Sequence, residues 1–203
     1  EAFLKGWGTP YYKPLVYLSW RLDHSLGGGD AFPFHLTNLL LHALNTLLVY
    51  LVSLTILRIP GMKKAQLAAL LTAALFAWHP MKVESVAWAM QRKDLLYTFF
   101  YLGSIWTYLQ ARQGRGYRYA VASGLAFLLA LASKSMAMTL PLVLILLDWM
   151  LFPVRWKRSV SLLLPVLFAA LAGAVAYGIP SRLGIYLSAP MIQTELPALA
   201  STL

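Results

Sequence analysis

What most constrains this chain is a succession of six apolar stretches, 36–57, 65–78, 95–109, 117–132, 137–151 and 159–179, separated by short connections that carry much of its charge. A helix needs roughly 20 largely apolar residues to cross a bilayer, with a working range of about 17–25. The first and last stretches reach that length unaided. The middle four are short and must borrow flanking Tyr, Thr and Ser or snorkelling Lys and Arg. With 60% hydrophobic and 12% charged residues, a water-soluble fold of this size would lack the polar surface to cover its core. The expected fold is therefore all-α, a polytopic transmembrane helical bundle of about six spans over 36–179. Non-cytoplasmic segments over 1–35 and 180–203 flank it. The chain has no cysteine, which excludes disulfides and thiolate metal sites.

The formal charge of +10 would point to nucleic acid in a soluble protein. Here the basic residues punctuate apolar runs, so they set topology and no nucleic-acid partner is implied. Three short connections hold Arg58, Lys63 and Lys64; Arg112, Arg115 and Arg118; and Arg155, Lys157 and Arg158, without one acid among them. The remaining basic residues are spread through longer segments with Glu1, Asp23, Asp30, Glu84, Asp94 and Glu195. Density, more than count, places the three basic connections in the cytoplasm and both chain ends outside. The abrupt start at Glu1-Ala2-Phe3 leads us to expect at least one span upstream.

Polar residues then gather on the non-cytoplasmic side. The segment from Trp7 to Phe34, rich in aromatics, Gly and Pro, reads as an outer loop with an interfacial belt, and Gly27-Gly28-Gly29-Asp30 as a turn within it. His35, Asn38, His42 and Asn45, in steps of three, four and three, share one face of the first span. Polar groups in hydrocarbon must be paired, so this stripe should face other helices, through interhelical hydrogen bonds, or a wet cavity. A metal site there lacks an evident third ligand. After His79-Pro80, where proline stops the second stretch, Val83, Val86, Ala87 and Met90 form an apolar stripe, and Glu84, Trp88 and Arg92 stack on the opposite face. This predicts an interfacial helix on the outer leaflet, able to hold a lipid phosphate or to act as a salt-bridged anchor. Lys134 sits in a tight outer turn, Ser133-Lys134-Ser135; Asp148, at the inner end of the fifth stretch, reads as structural.

Taken in order, Tyr12-Lys13-Pro14-Leu15, His35-Leu36-Thr37-Asn38, Leu41-His42-Ala43-Leu44-Asn45, His79-Pro80, Val83-Glu84-Ser85-Val86-Ala87-Trp88, Arg92-Lys93-Asp94, Ser133-Lys134, Thr139-Leu140-Pro141 and Leu147-Asp148-Trp149 carry a resemblance. From about Thr9 to Phe152 the chain resembles the membrane part of the transmembrane and tetratricopeptide-repeat-containing O-mannosyltransferase family, especially its bacterial relatives. The resemblance implies a C-type glycosyltransferase fold with its active site at the outer face, in a bacterial cytoplasmic (inner) membrane. It also implies transfer of a sugar, often mannose, from a polyprenyl-phosphate donor to a protein hydroxyl or other acceptor. The family's catalytic acidic pair would lie before Glu1, and its repeats beyond the far end. Where many relatives have Arg, this chain has Lys13, which keeps the charge but loses bidentate geometry.

On this reading Lys13, Arg92, Lys93 and Lys134 bind the donor phosphate. His79, Glu84 and Asp94 are the catalytic candidates within the chain, His79 and Glu84 orienting groups or helping to hold a divalent cation. The rival from another class is a non-catalytic subunit of a larger membrane complex. A transporter ranks last, since no pair of broken helices with inverted repetition is evident.

Overall fold

The computed structural model describes residues 13–28, 30–152 and 156–183, with side chains in the last stretch from 159 to 173. Every regular element among them is helical. We number the α-helices α1 (Pro14–Gly27), α2 (Ala31–Arg58), α3 (Ala65–Trp78), α4 (Met81–Ala87), α5 (Arg92–Arg112), α6 (Tyr117–Ser133), α7 (Leu140–Leu151) and α8 (Trp156–Leu183), with 3-10 turns at Ala89–Gln91 and Ser135–Thr139.

The apolar stretches fall within α2, α3, α5, α6, α7 and α8, the fifth one opening with the 3-10 turn. Among the described residues only α2, 28 residues long, is long and apolar enough to cross a membrane by length and composition; the apolar helices of 10–17 residues are shorter than that. One expectation is overturned outright. The segment read as an outer loop contains α1, which starts with Pro14 in its first turn and ends at Gly28 in the left-handed region (φ 59°). Proline at the start and glycine just past the end is the usual asymmetry of helix termini. The glycine-rich turn is present: the Gly28 N–H donates to His24 O, and Asp30 caps α2 by accepting from the Phe32 N–H.

α5 and α6 form the most extensive helix pair. α8 packs on the α6 side, α2 on the α5 side, and α3 packs against α2. The core runs through Tyr108, Leu109, Phe127, Leu140, Leu144 and Val166. Small residues bring α6 close to its neighbours. Ser104 and Ser123 exchange hydroxyl-to-carbonyl bonds of 2.8 and 2.9 Å across α5 and α6, and Gly124 faces the Pro165 carbonyl of α8. Outside this core the surface is apolar: Leu40, Leu47, Leu70, Leu75, Leu142 and Phe168 are all exposed.

The bundle thus has two ends. One gathers the starts of α2, α5 and α7 with the last turns of α3 and α6, and α1 lies against it, touching α2, α5 and α6. The other carries the connections near Arg58, Arg112 and Phe152. At that second end Asp148 is a structural residue. It pairs with Arg112 and accepts from Tyr108 (3.0 Å) and Ser159 (2.6 Å), while Arg112 lies over the Phe152 ring. Arg112 is consequently buried, unlike the loop charge its position in the sequence suggests. Trp7, Tyr11, Tyr12 and the side chains of Arg155, Lys157 and Arg158 lie outside the described residues, as does the segment from 184 onward.

Candidate functional site

Three breaks in helical geometry shape the α1 end. His79 is extended because Pro80 follows it, and the residue before a proline is pushed out of the α region. Trp88 (φ −99°, ψ 114°) separates α4 from the 3-10 turn that leads into α5, and Lys134 (φ −157°, ψ 130°) ends α6. The expected continuous interfacial helix is therefore interrupted. α4 stops at Ala87, so Glu84, Trp88 and Arg92 do not stack on one face. Glu84 instead accepts from Gln91 Nε2 at 3.1 Å.

A break frees carbonyls, which must find donors where water is scarce. The polar stripe of α2 supplies them. Asn38 Nδ2 donates to the Val86 and Trp88 carbonyls (3.3 and 3.4 Å), His42 Nε2 to Ala77 O (3.2 Å) and Asn45 Nδ2 to Leu95 O (3.0 Å). Interhelical hydrogen bonding thus accounts for three of the four stripe residues, and His35 is exposed. Among the described residues no group of three or more His, Cys, Asp or Glu comes together to hold a metal ion.

Arg92, at the first position of α5, is fully buried. It pairs with Asp23 of α1, donates from Nε to Asn38 Oδ1 (2.9 Å), from Nη2 to Phe34 O (2.8 Å) and from Nη1 to Ser19 Oγ (3.5 Å), and lies against the Phe34 ring. Thr37 Oγ1 donates to the same Asp23 carboxylate at 2.8 Å. Burying a charge is tolerated only with such pairing. From this position Arg92 joins α1, α2 and α5 and does not present its guanidinium at the surface, as the sequence reading expected. Its partner Asp23 was missed, being one polar residue among several in a segment read as a loop.

The next two residues turn outward. Asp94 and Lys134 meet at 2.5 Å, both about 30% exposed, with the Lys134 ammonium 6.0 Å from the Tyr97 ring centre. Tyr97 packs against Tyr101, whose hydroxyl lies 3.3 Å from Thr139 Oγ1. Lys13 belongs to the same cluster: its ammonium is held below the ordinary lysine value by burial first, then by Lys93 and Lys134, with Asp94 opposing. Among the described residues, Lys13, Lys93 and Lys134 gather with Asp94 in a half-open group that is a suitable environment for an anion. His79 stands elsewhere, lining a cleft with His42 and Lys82, and its Nδ1 accepts from the Met81 N–H at 3.3 Å.

The chain is 34% identical over 161 residues to the protein O-mannosyl-transferase Tmtc1 of Drosophila melanogaster, an alignment covering 75% of this chain and 18% of that protein. The chain is similar to one stretch of the protein O-mannosyl-transferases. Tmtc2 of the same organism is 38% identical over 159 residues (71% of this chain, 16% of that protein), and human TMTC4 37% identical over 108 residues (49% and 15%). The chain spans less than a fifth of the length of these relatives. Neither a family model nor a solved structure matches it. Relatives named TMTC1, TMTC2 and TMTC4 therefore agree with the family that the ordered motifs from Thr9 to Phe152 resemble.

Proposed function

We propose that this chain is the membrane part of a bacterial-type member of the transmembrane and tetratricopeptide-repeat-containing O-mannosyltransferase family, and that its Lys13–Lys93–Lys134 cluster receives the phosphate of a lipid-linked sugar donor. The observation that carries the reading is this half-open lysine cluster, which lies within a stretch similar to protein O-mannosyl-transferases. The exposed leucines around the bundle support a six-span membrane embedding, because soluble monomers rarely expose contiguous apolar surface on this scale. The basic connections at the Arg112 end would face the cytoplasm, putting the lysine cluster and both chain ends on the outside of the bacterial cytoplasmic membrane.

In the reaction, the acceptor hydroxyl oxygen bonds to the sugar anomeric carbon as the bond from that carbon to the donor phosphate oxygen breaks, with inversion. The hydroxyl proton passes to a carboxylate of the full-length protein. The leaving phosphate keeps the bonding electron pair, and the lysines neutralise its growing charge, a contribution concentrated in the transition state. Asp94 holds Lys134 in place until the phosphate competes for it. Arg92 acts through others: by pinning α1 to α2 and α5 it positions Lys13 beside Lys93.

The test is transfer by the full-length protein from a polyprenyl-phosphate mannose donor to a peptide acceptor. K93Q and K134Q should each lower kcat/KM for the donor by about tenfold or more, as loss of a hydrogen bond to a charged group does. Unchanged donor kinetics in both variants would overturn the assignment and favour a scaffolding role.

A further inference from the structure

The cleft at the α3–α4 corner is separate from the lysine cluster. It has a volume of about 300 Å³ and is walled by Trp78, Val83 and Val86, with His42, His79 and Lys82 as its polar groups. That volume suits a headgroup, lying at the small end of the range for ligand sites. Three observations describe its chemistry. The His42 Nε2–H is committed to Ala77 O, and its Nδ1, shielded from solvent, has no hydrogen-bond partner among the described residues. That nitrogen is closed to a ligand as it is to water, so His42 contributes ring surface to the wall of the cleft. The His79 Nδ1 accepts the Met81 N–H, which leaves Nε2–H as a donor. The Lys82 ammonium rests 4.8 Å above the Phe76 ring, which also stacks on His42, and among the described residues Lys82 is the charged one lining the cleft. Of its lining residues, Trp78 and Val83 are 87% and 66% exposed.

A small soluble anion would use the donors and leave this apolar rim in water. An amphiphile would use both. We infer that the cleft holds the headgroup of an anionic glycerophospholipid, with phosphatidylglycerol as the probe. Lys82 and the His79 Nε2–H donate to the phosphodiester oxygens. The acyl chains leave past Trp78 along the exposed leucines of α3, among them Leu71 and Leu75. The inference rests on the bundle being membrane-embedded, and not on the transfer reaction.

The experiment starts with carbonate-washed membranes containing the full-length protein, since release by the wash would overturn the membrane reading on its own. Protein extracted from them is incubated with dioleoyl phosphatidylglycerol or dioleoyl phosphatidylcholine and examined by native mass spectrometry. A phosphatidylglycerol adduct should persist, and a phosphatidylcholine adduct should not. K82Q should lower adduct occupancy about tenfold, K82R should retain it, and K134Q should leave it unchanged while weakening use of the sugar donor. Equal retention of the two lipids, or full retention by K82Q, would overturn the inference. Displacement of the adduct by inorganic phosphate would overturn it in favour of a free-anion site. Displacement by undecaprenyl phosphate would overturn it by making the cleft part of the donor site.

Discussion

Asn38 of α2 and Arg92 of α5, 54 residues apart in sequence, meet through a 2.9 Å hydrogen bond from Arg92 Nε to Asn38 Oδ1. The same amide uses its nitrogen on the carbonyls of Val86 and Trp88. One buried side chain thus holds both the start of α5 and the irregular turn before it. N38A should destabilise the protein by about 1–3 kcal/mol, because it leaves buried donors and acceptors unpaired. Thermal unfolding in detergent would measure this; a variant as stable as wild type would show that water replaces the amide.

Asp23 and Arg92 form a pair that is almost wholly buried. Removing one partner strands a charge, so D23A and R92A should each cost about 3–5 kcal/mol. The double variant should cost clearly less than the sum, the signature of direct coupling. Additive losses from equilibrium unfolding would mean that the two side chains act independently.

Gly124 and Gly103 test helix approach against helix propensity. A Cβ at Gly124 would lie 2.8 Å from the Pro165 carbonyl oxygen, whereas one at Gly103 meets nothing within 4 Å. G124A should therefore destabilise by about 1–3 kcal/mol through overpacking of α6 against α8. G103A should be neutral or add up to about 1 kcal/mol, the usual helical advantage of alanine over glycine. Reversal of that order in melting temperature would contradict the packing described for α6.

Lys13 supplies a pH dependence. Its folded-state pKa lies below the ordinary 10.5, through burial and then the charges of Lys93 and Lys134. The folded protein therefore binds this proton less tightly than the unfolded chain does. The stability contributed by Lys13 is complete above 10.5 and is lost as pH falls through the lower folded value. Wild type should gain stability relative to K13Q as pH rises through that window, and on the proposed function its affinity for a polyprenyl-phosphate donor should fall as the ammonium is lost. A pH-independent difference between the two proteins would remove Lys13 from the cluster.

Much of the architecture was legible because apolar runs and their breakers report helices directly: Pro80 ends α3 where expected, and the glycine turn before Asp30 caps α1 and opens α2. The hydrogen-bonding use of Asn38, His42 and Asn45 was legible from spacing, since one helix face must meet one set of neighbours. Two features were hidden. α1 was masked by a composition of glycine and aromatics that suits a loop, although Pro14 and Gly28 were signals of its two ends. The break at Trp88 carries neither proline nor glycine, so periodicity ran straight through it. Asn38, 50 residues away, supports the break through the Trp88 carbonyl, and local sequence does not encode such long-range support. For the same reason Arg92 could be read as a surface charge: its partner lies on another helix.

α5 is fastened at both of its ends, Arg92 to Asp23 at one and Arg112 to Asp148 at the other. A piston-like slide of α5, or a rotation about its axis, would have to break two buried charge pairs in the same instant. α5 is accordingly the stator of this bundle. Any movement within this bundle must be carried by elements outside those clamps, and the α3–α4 corner, with its open cleft, is the place where the helices are already parted.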